Sequence, residues 1–134
     1  MKKITAVITG VGKYVPDFVL TNAMLEKMVD TNDEWITSRT GIKERRILKG
    51  EGKGTSYMAI KAAQQLLEKK NLDPKEIDLV IVSTATPDMQ AASTAVYTAT
   101  QIGATNAFAF DLEAACSSFL FGMSVASSYI ESGR

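Results

Sequence analysis

The chain reads as a layered α/β domain built on a parallel sheet, and three observations lead there. Ile77 to Ser83 contains the unbroken run Leu79-Val80-Ile81-Val82, as a strand buried on both faces requires. Ala107-Phe108-Ala109-Phe110-Asp111-Leu112 has the length and bulk of a second buried strand. Around these two runs lie stretches whose apolar residues recur at helical spacing, so strands and helices alternate along the chain.

Composition sets the bounds. At 134 residues, 46% hydrophobic and 22% charged, the chain has ordinary globular composition and enough apolar surface for one modest core. Fifteen basic and fifteen acidic residues cancel, so no global field draws it to nucleic acid or an anionic membrane, and an anionic partner must be met by a local patch. A single cysteine excludes an internal disulfide, and with neither CxxC nor histidine clusters no metal site is expected. A reducing cytoplasm is the simplest compartment. Met1-Lys2-Lys3 is basic, but Thr5, Thr9, Gly10 and Gly12 interrupt the apolar run after it too soon for a signal segment or membrane span. The chain has no histidine, so neither a Cys–His nor a Ser–His–Asp arrangement can be assembled from these residues alone.

Taken in order, Ile4 to Ile8 reads as a first strand, left through Gly10-Val11-Gly12. This Gly-x-Gly is not a dinucleotide fingerprint, because no third glycine follows at the right spacing and Pro16 stands where a helix should begin. Thr21-Asn22 caps a short helix carrying Leu25, Met28 and Val29, and Thr31-Asn32-Asp33-Glu34 forms a capping box that opens a second. Trp35 and Arg39 lie four residues apart on one face of that second helix. Such a pair suits a flat, nucleotide-bearing ring, the indole stacking while the guanidinium meets phosphate; a core tryptophan beside a surface arginine is the other reading. After Gly41, Ile42 to Leu48 is a charged edge strand or arm, and Lys49 to Gly54 a glycine-rich connector without the Gly-Lys-Ser/Thr end of a phosphate loop. Thr55 or Ser56 then caps a helix with the stripe Met58, Ala59, Ala62, Ala63, Leu66 and Leu67. Thr84-Ala85-Thr86-Pro87-Asp88 leaves the C-terminal end of the next strand, where ligands collect in open α/β sheets. Ser93 caps a helix through Gln101, and a turn at Gly103 leads to the strand that precedes Cys116.

Cys116 follows the small residues Glu113-Ala114-Ala115 and opens a helix on which Leu120, Met123, Ala126 and Ile130 recur, with Gly133 at its end. Unpaired N–H groups and the dipole at a helix start favour a thiolate, and the same N–H groups can hold the oxyanion formed when sulfur attacks a carbonyl. Thioester chemistry fits. A small buried hydrophobe is the competing reading of a lone free cysteine.

Several separated stretches together point to one family. Thr21-Asn22, Asp33-Glu34-Trp35-Ile36 followed by Arg39-Thr40-Gly41-Ile42, Ala85-Thr86-Pro87-Asp88, and Asp111-Leu112-x-Ala114-Ala115-Cys116-Ser117 resemble, in the same order, the β-ketoacyl-acyl-carrier-protein synthase III enzymes of the thiolase-like superfamily. The resemblance implies residues 1–134 are the N-terminal half of an αβαβα layered fold with a mostly parallel mixed sheet. It implies that Cys116 accepts an acyl group, usually acetyl, from acyl-coenzyme A. The group then passes to malonyl-acyl carrier protein with decarboxylation, giving the 3-ketoacyl product that initiates fatty acid synthesis. It also implies that Trp35 stacks on the adenine of coenzyme A, with Arg39 beside the nucleotide and the Thr31 hydroxyl near the adenine. Coenzyme A enters as a substrate thioester, and no permanently bound cofactor or metal is implied.

The chain departs from the family pattern in two ways. Family members commonly have an aromatic residue and a proline before the serine matching Ser93, where this chain has Ala91-Ala92. Because the aromatic walls the neighbouring subunit's acyl pocket, Ala91 implies room for acyl groups longer than acetyl. The family also uses a histidine and an asparagine from a second half of the chain, and those residues lie outside these 134. The expectation is an incomplete domain that needs the missing C-terminal half, is inactive alone, and belongs to a cytoplasmic homodimer. Two alternatives stand beside it. One is another thiolase-fold acyltransferase, such as a hydroxymethylglutaryl-CoA synthase or a ketosynthase of secondary metabolism; the other is a non-catalytic structural fragment with an inert Cys116.

Overall fold

The computed structural model describes residues 4–133, which form two compact units; Met1 to Lys3 lie outside the described residues, and with them the basic start of the chain. The smaller unit runs from Val15 to Lys53. Its strands β1 (Phe18–Thr21) and β2 (Glu44–Ile47) pair antiparallel, from Phe18 opposite Ile47 to Thr21 opposite Glu44. Between them lie a one-turn helix α1 (Asn22–Leu25), capped by Thr21, and the longer α2 (Asp33–Thr40). The cap of α2 is Asn32, whose side chain accepts from Trp35 N at 2.7 Å. The expected capping box is therefore shifted by one residue, and Thr31 stands just before it. The Asn32 side chain reaches the third amide of the helix, which satisfies one of its free donors. Gly41 ends α2 in the left-handed conformation.

The larger unit joins the stretch up to Tyr14 with the chain from Gly54 onward. It contains α3 (Thr55–Lys70), β3 (Leu79–Ser83), α4 (Thr94–Ile102), β4 (Phe108–Leu112) and α5 (Ser118–Glu131). The two apolar runs pair parallel, Leu79 opposite Phe108 through Ser83 opposite Leu112. Parallel neighbours require a crossover, and α4 supplies it, packing against both strands and against α3. Val82, Ala95, Ala99 and Ala104 are buried there.

Three expectations change in this unit. Ile4 to Ile8 forms no strand, and Ile4, Val7 and Ile8 are exposed. An apolar run becomes a strand only where another strand offers hydrogen bonds, and β3 and β4 bond only to each other among the described residues. The Gly-x-Gly that follows has a packing role instead: a Cβ on Gly12 would strike Ala62 O and lie 2.8 Å from Leu66 Cβ, so the chain crosses α3 in close contact. Neither Thr55 nor Ser56 caps α3. The cap is Gly54, without a side-chain bond, and Asp88 from the loop after β3 accepts from Ser56 N at 3.1 Å. Finally, the side of α5 that is buried holds Ser118 and Gly122, while Leu120, Met123 and Ile130 of the expected apolar stripe are exposed, Leu120 by 65%. Small residues let the helix approach β3 closely. No helix among the described residues is long and apolar enough to cross a membrane.

Candidate functional site

Cys116 sits between β4 and α5. It lies in a single 3-10 turn, Ala115–Ser117, two residues ahead of α5, and so does not open the helix as the sequence suggests. Ala115 has φ 46°, a left-handed conformation that costs a residue with a Cβ on the order of 1–3 kcal/mol. The turn is closed from inside by Ser118, 3% exposed, whose Oγ accepts from Ala114 N at 2.7 Å and donates to Ala115 O at 2.8 Å. Ser118 O in turn accepts from Ser83 Oγ at 3.0 Å, which fastens the turn to β3. Cys116 projects from this sharp strand–turn–helix junction with its side chain exposed. The buried-hydrophobe reading of this cysteine is thereby removed. Two amides expected to face an oxyanion are engaged within the turn, Ser117 N with Ala114 O at 3.0 Å and Ser118 N with Ala115 O.

The loop from Thr84 to Ser93 leaves β3 at the same end at which Cys116 leaves β4, and Thr84 N donates to Leu112 O at 3.1 Å. Its flanks are held by two carboxylates. Asp111, on β4, accepts from Ala95 N at 2.7 Å, Thr94 N at 2.8 Å and Ser93 Oγ at 3.2 Å, which caps α4 from a neighbouring strand. Asp88 caps α3 and donates its own amide to Thr94 Oγ1 at 3.2 Å. Ala91 is exposed near the loop's tip. Both carboxylates stand in the stretches that carry the family resemblance, but their capping of α3 and α4 was not read from the sequence, although a charged residue inside the apolar run Ala107 to Leu112 was a signal for Asp111.

In the smaller unit Trp35 and Arg39 come together as their spacing predicts. The Arg39 guanidinium carbon lies 4.6 Å from the indole centroid, a cation–π contact that covers one face of a ring 52% exposed. The core-tryptophan reading does not hold. Thr31 is half-buried just before the α2 cap. A network that the sequence did not reveal fixes this helix. Asn22, 2% exposed, donates through its amide to Asp33 Oδ1 at 2.7 Å and to Ile42 O at 2.8 Å, and its carbonyl accepts from Arg45 Nη2 at 2.8 Å. Arg45 thus serves the interior of the unit rather than a soluble edge. Hydrogen bonds from Asn22 and Thr37, with a smaller share from Lys43, hold the Asp33 carboxyl below its ordinary value.

An exposed thiol on a sharp junction after the second strand of a parallel pair, with α4 crossing between the strands, defines a thiolase-like α/β fold. Comparison with known proteins agrees. The family model described as 3-oxoacyl-(acyl-carrier-protein) synthase III matches residues 110–134, the stretch that carries Cys116. Beta-ketoacyl-(acyl-carrier-protein) synthase III 2 of Bacteroides thetaiotaomicron is 60% identical over 134 residues, all of this chain and 40% of its own length. The crystal structure of 3-oxoacyl-(acyl-carrier-protein) synthase III from Aquifex aeolicus superposes with a TM-score of 0.87 at 50% identity, over 98% of this chain and 41% of that one. The priming β-ketosynthase of the R1128 polyketide biosynthetic pathway gives a TM-score of 0.91 at 38% identity, over 98% and 39%. The chain belongs to the β-ketoacyl-acyl-carrier-protein synthase III family, and it spans about 40% of the length of the curated relatives it matches.

Proposed function

We propose that the protein carrying this chain is the condensing enzyme that initiates fatty acid synthesis, and that these residues are its N-terminal part. The observation that carries the proposal is Cys116, the one cysteine of the chain, exposed on the strand–turn–helix junction within the stretch matched by the family model. Its thiolate attacks the carbonyl carbon of an acyl-CoA, usually acetyl-CoA; the bond from that carbon to the coenzyme sulfur breaks, and coenzyme A leaves as its thiol after taking up a proton. Malonyl-acyl carrier protein then loses carbon dioxide, and the resulting carbanion attacks the Cys116 thioester. The 3-ketoacyl-acyl carrier protein departs and the thiolate returns.

Trp35, Arg39 and Thr31 would bind the nucleotide end of coenzyme A, through stacking on the open indole face and through the guanidinium charge. Ala91 would leave the acyl pocket roomier than an aromatic at that place. With no histidine in the chain, the groups that polarise the thioester and promote decarboxylation belong to sequence beyond these 134 residues, so this chain alone is inactive. The reading includes a cytoplasmic homodimer, no resident cofactor or metal, and no nucleic-acid or membrane partner. The likeness to a priming β-ketosynthase of a polyketide pathway supports a second reading, in which the acyl acceptor is the same and the product enters polyketide synthesis.

Intact-protein mass spectrometry with acetyl-CoA tests the proposal, with Cys116→Ala as control. An acetyl adduct on the wild type and none on the variant is expected. A wild type that stays unmodified at its natural length rejects the acyl-acceptor role. Acetyl-, isobutyryl- and hexanoyl-CoA compared as primers test the pocket, and a strict acetyl preference rejects the role given to Ala91.

A further inference from the structure

Hydrogen bonds from three sides meet on Ser118, the buried residue at the base of the turn that carries Cys116. Its Oγ accepts from Ala114 N at 2.7 Å and donates to Ala115 O at 2.8 Å. Its amide donates to the same Ala115 O, and its own carbonyl accepts from Ser83 Oγ on β3 at 3.0 Å. The hydroxyl thus spans Ala115, bonding the amide of the residue before it and the carbonyl of Ala115 itself.

That carbonyl belongs to the peptide group whose nitrogen is the Cys116 amide. The group is trans and planar, so its C=O and N–H point in opposite directions and the Cα of Cys116 lies in the same plane. With Ala115 O drawn inward to Ser118, the Cys116 N–H is turned away from Ser118, and the bond that leads to the exposed thiol starts from a fixed point. The turn does not hold this shape unaided. Ala115 has φ 46°, a conformation that a residue with a Cβ keeps only where its surroundings impose it.

We propose that the Ser118 side chain is a positioning residue for acyl transfer: by holding Ala115 O it sets the plane of the Ala115–Cys116 peptide, and so the alignment of the sulfur and the Cys116 N–H with the acyl carbonyl. The inference rests on the acyl-CoA reading of Cys116. Its effect belongs to the chemical step, because bond formation demands close alignment of the reacting atoms. Affinity for coenzyme A should not follow, since Trp35 and Arg39, to which the proposed function gives that contact, belong to the other unit.

The test compares Ser118→Ala, which removes the hydroxyl, with Ser83→Ala, which frees the carbonyl of Ser118 but leaves its side chain intact. In the protein at its natural length, four quantities are measured: the rate of Cys116 acetylation at saturating acetyl-CoA, the concentration giving half that rate, the rate of alkylation by iodoacetamide, and Tm. Alkylation is the control, because it needs a reachable thiolate and forms no oxyanion. Ser118→Ala should lower the saturating acetylation rate about tenfold or more. Its half-saturating concentration and its alkylation rate should each stay within about twofold of the wild type. Ser83→Ala should lower Tm while its acetylation rate stays within about threefold. Ser118→Ala is also combined with Ala115→Gly, because glycine takes the left-handed conformation without steric cost and so keeps the turn in shape even where the single variant fails to fold. The double variant should acetylate within about fivefold of the wild type. A lowered Tm in Ser118→Ala with unchanged acetylation, an equal loss of rate in Ser83→Ala, acetylation and alkylation falling together, or a double variant that folds without this recovery overturns the positioning role. A wild type that alkylates normally but takes no acetyl group overturns the acyl-CoA reading itself, and this inference with it.

Discussion

Asn22 donates its side-chain amide to Asp33 Oδ1 at 2.7 Å across eleven positions of sequence, and the same side chain accepts from Arg45 Nη2 at 2.8 Å. One buried amide therefore couples α1 to the first turn of α2 and to β2. Asn22→Ala removes the bonds of this amide to Asp33, Ile42 O and Arg45, each worth about 0.5–1.5 kcal/mol net. The expected loss is about 2–3 kcal/mol, read as a lower urea midpoint with an unchanged m value. An effect within the error of the measurement would show that the network reorganises around the gap.

The Asp33 carboxylate gives the same unit a pH dependence. Hydrogen bonds from Asn22 and then Thr37 hold its folded-state pKa below the ordinary 3.8, with Lys43 adding less. Lys43 is expected to matter little, since its pairing is long, 3.9 Å, and exposed. A depressed carboxyl contributes its full stabilisation above the unfolded pKa and loses it as pH falls through the folded one. Stability should thus decline below about pH 4 more steeply in the wild type than in Asp33→Asn, which has no proton to gain. Parallel acid limbs in the two unfolding series would reject this assignment.

What could be read from sequence, and what could not, follows the range of the interactions involved. Leu79 to Val82 and Ala107 to Phe110 were readable because a continuous apolar run of strand length is the local signal of a parallel-sheet strand. The end of α2 at Gly41, and the capped start of α4 at Ser93, were readable because their chemistry is local. Ile4 to Ile8 carries the same apolar signal as β3, yet its state depends on a hydrogen-bonding partner that no local pattern reveals. β1 was missed for a related reason: Phe18–Thr21 exists by pairing with Glu44–Ile47, and its Thr21-Asn22 end reads as a helix cap. The caps of α3 and α4 come partly from Asp88 and Asp111, distant in sequence. At the candidate site Cys116 stood out by composition, whereas its placement in a 3-10 turn ahead of α5 depends on Ala115 and on Ser118 closing the turn.

Trp35 should separate binding from stability. With the ring 52% exposed, Trp35→Ala is expected to change stability by no more than about 1 kcal/mol, mostly the lost contact with Arg39. Base stacking on an aromatic is worth about 1–3 kcal/mol, so under the proposed function KM for acyl-CoA should rise about tenfold with kcat little changed. Steady-state kinetics of the natural-length protein decide it. A fall in kcat at unchanged KM would remove Trp35 from the coenzyme A contact.

The close approach of α5 to β3 makes a prediction in which two effects of opposite sign compete. A Cβ on Gly122 would lie 2.7 Å from Ser83 Oγ and 3.8 Å from Ile81 Cγ2, so Ser83 alone is in the way. Gly122→Ala gains about 0.5–1 kcal/mol from helix preference but must displace the Ser83 hydroxyl from Ser118 O, and overpacking of this kind costs about 1–3 kcal/mol. The clash should win, with a net loss of about 1–2 kcal/mol. Ser83→Ala alone should cost about 1 kcal/mol for its hydrogen bond. With the hydroxyl already gone, adding Gly122→Ala removes the conflict and leaves the helix preference, so the second substitution becomes neutral or stabilising in that background. A double-mutant cycle by urea unfolding therefore yields a coupling of about 1–3 kcal/mol. Additive losses would mean that α5 is held away from β3 by something other than the Ser83 hydroxyl.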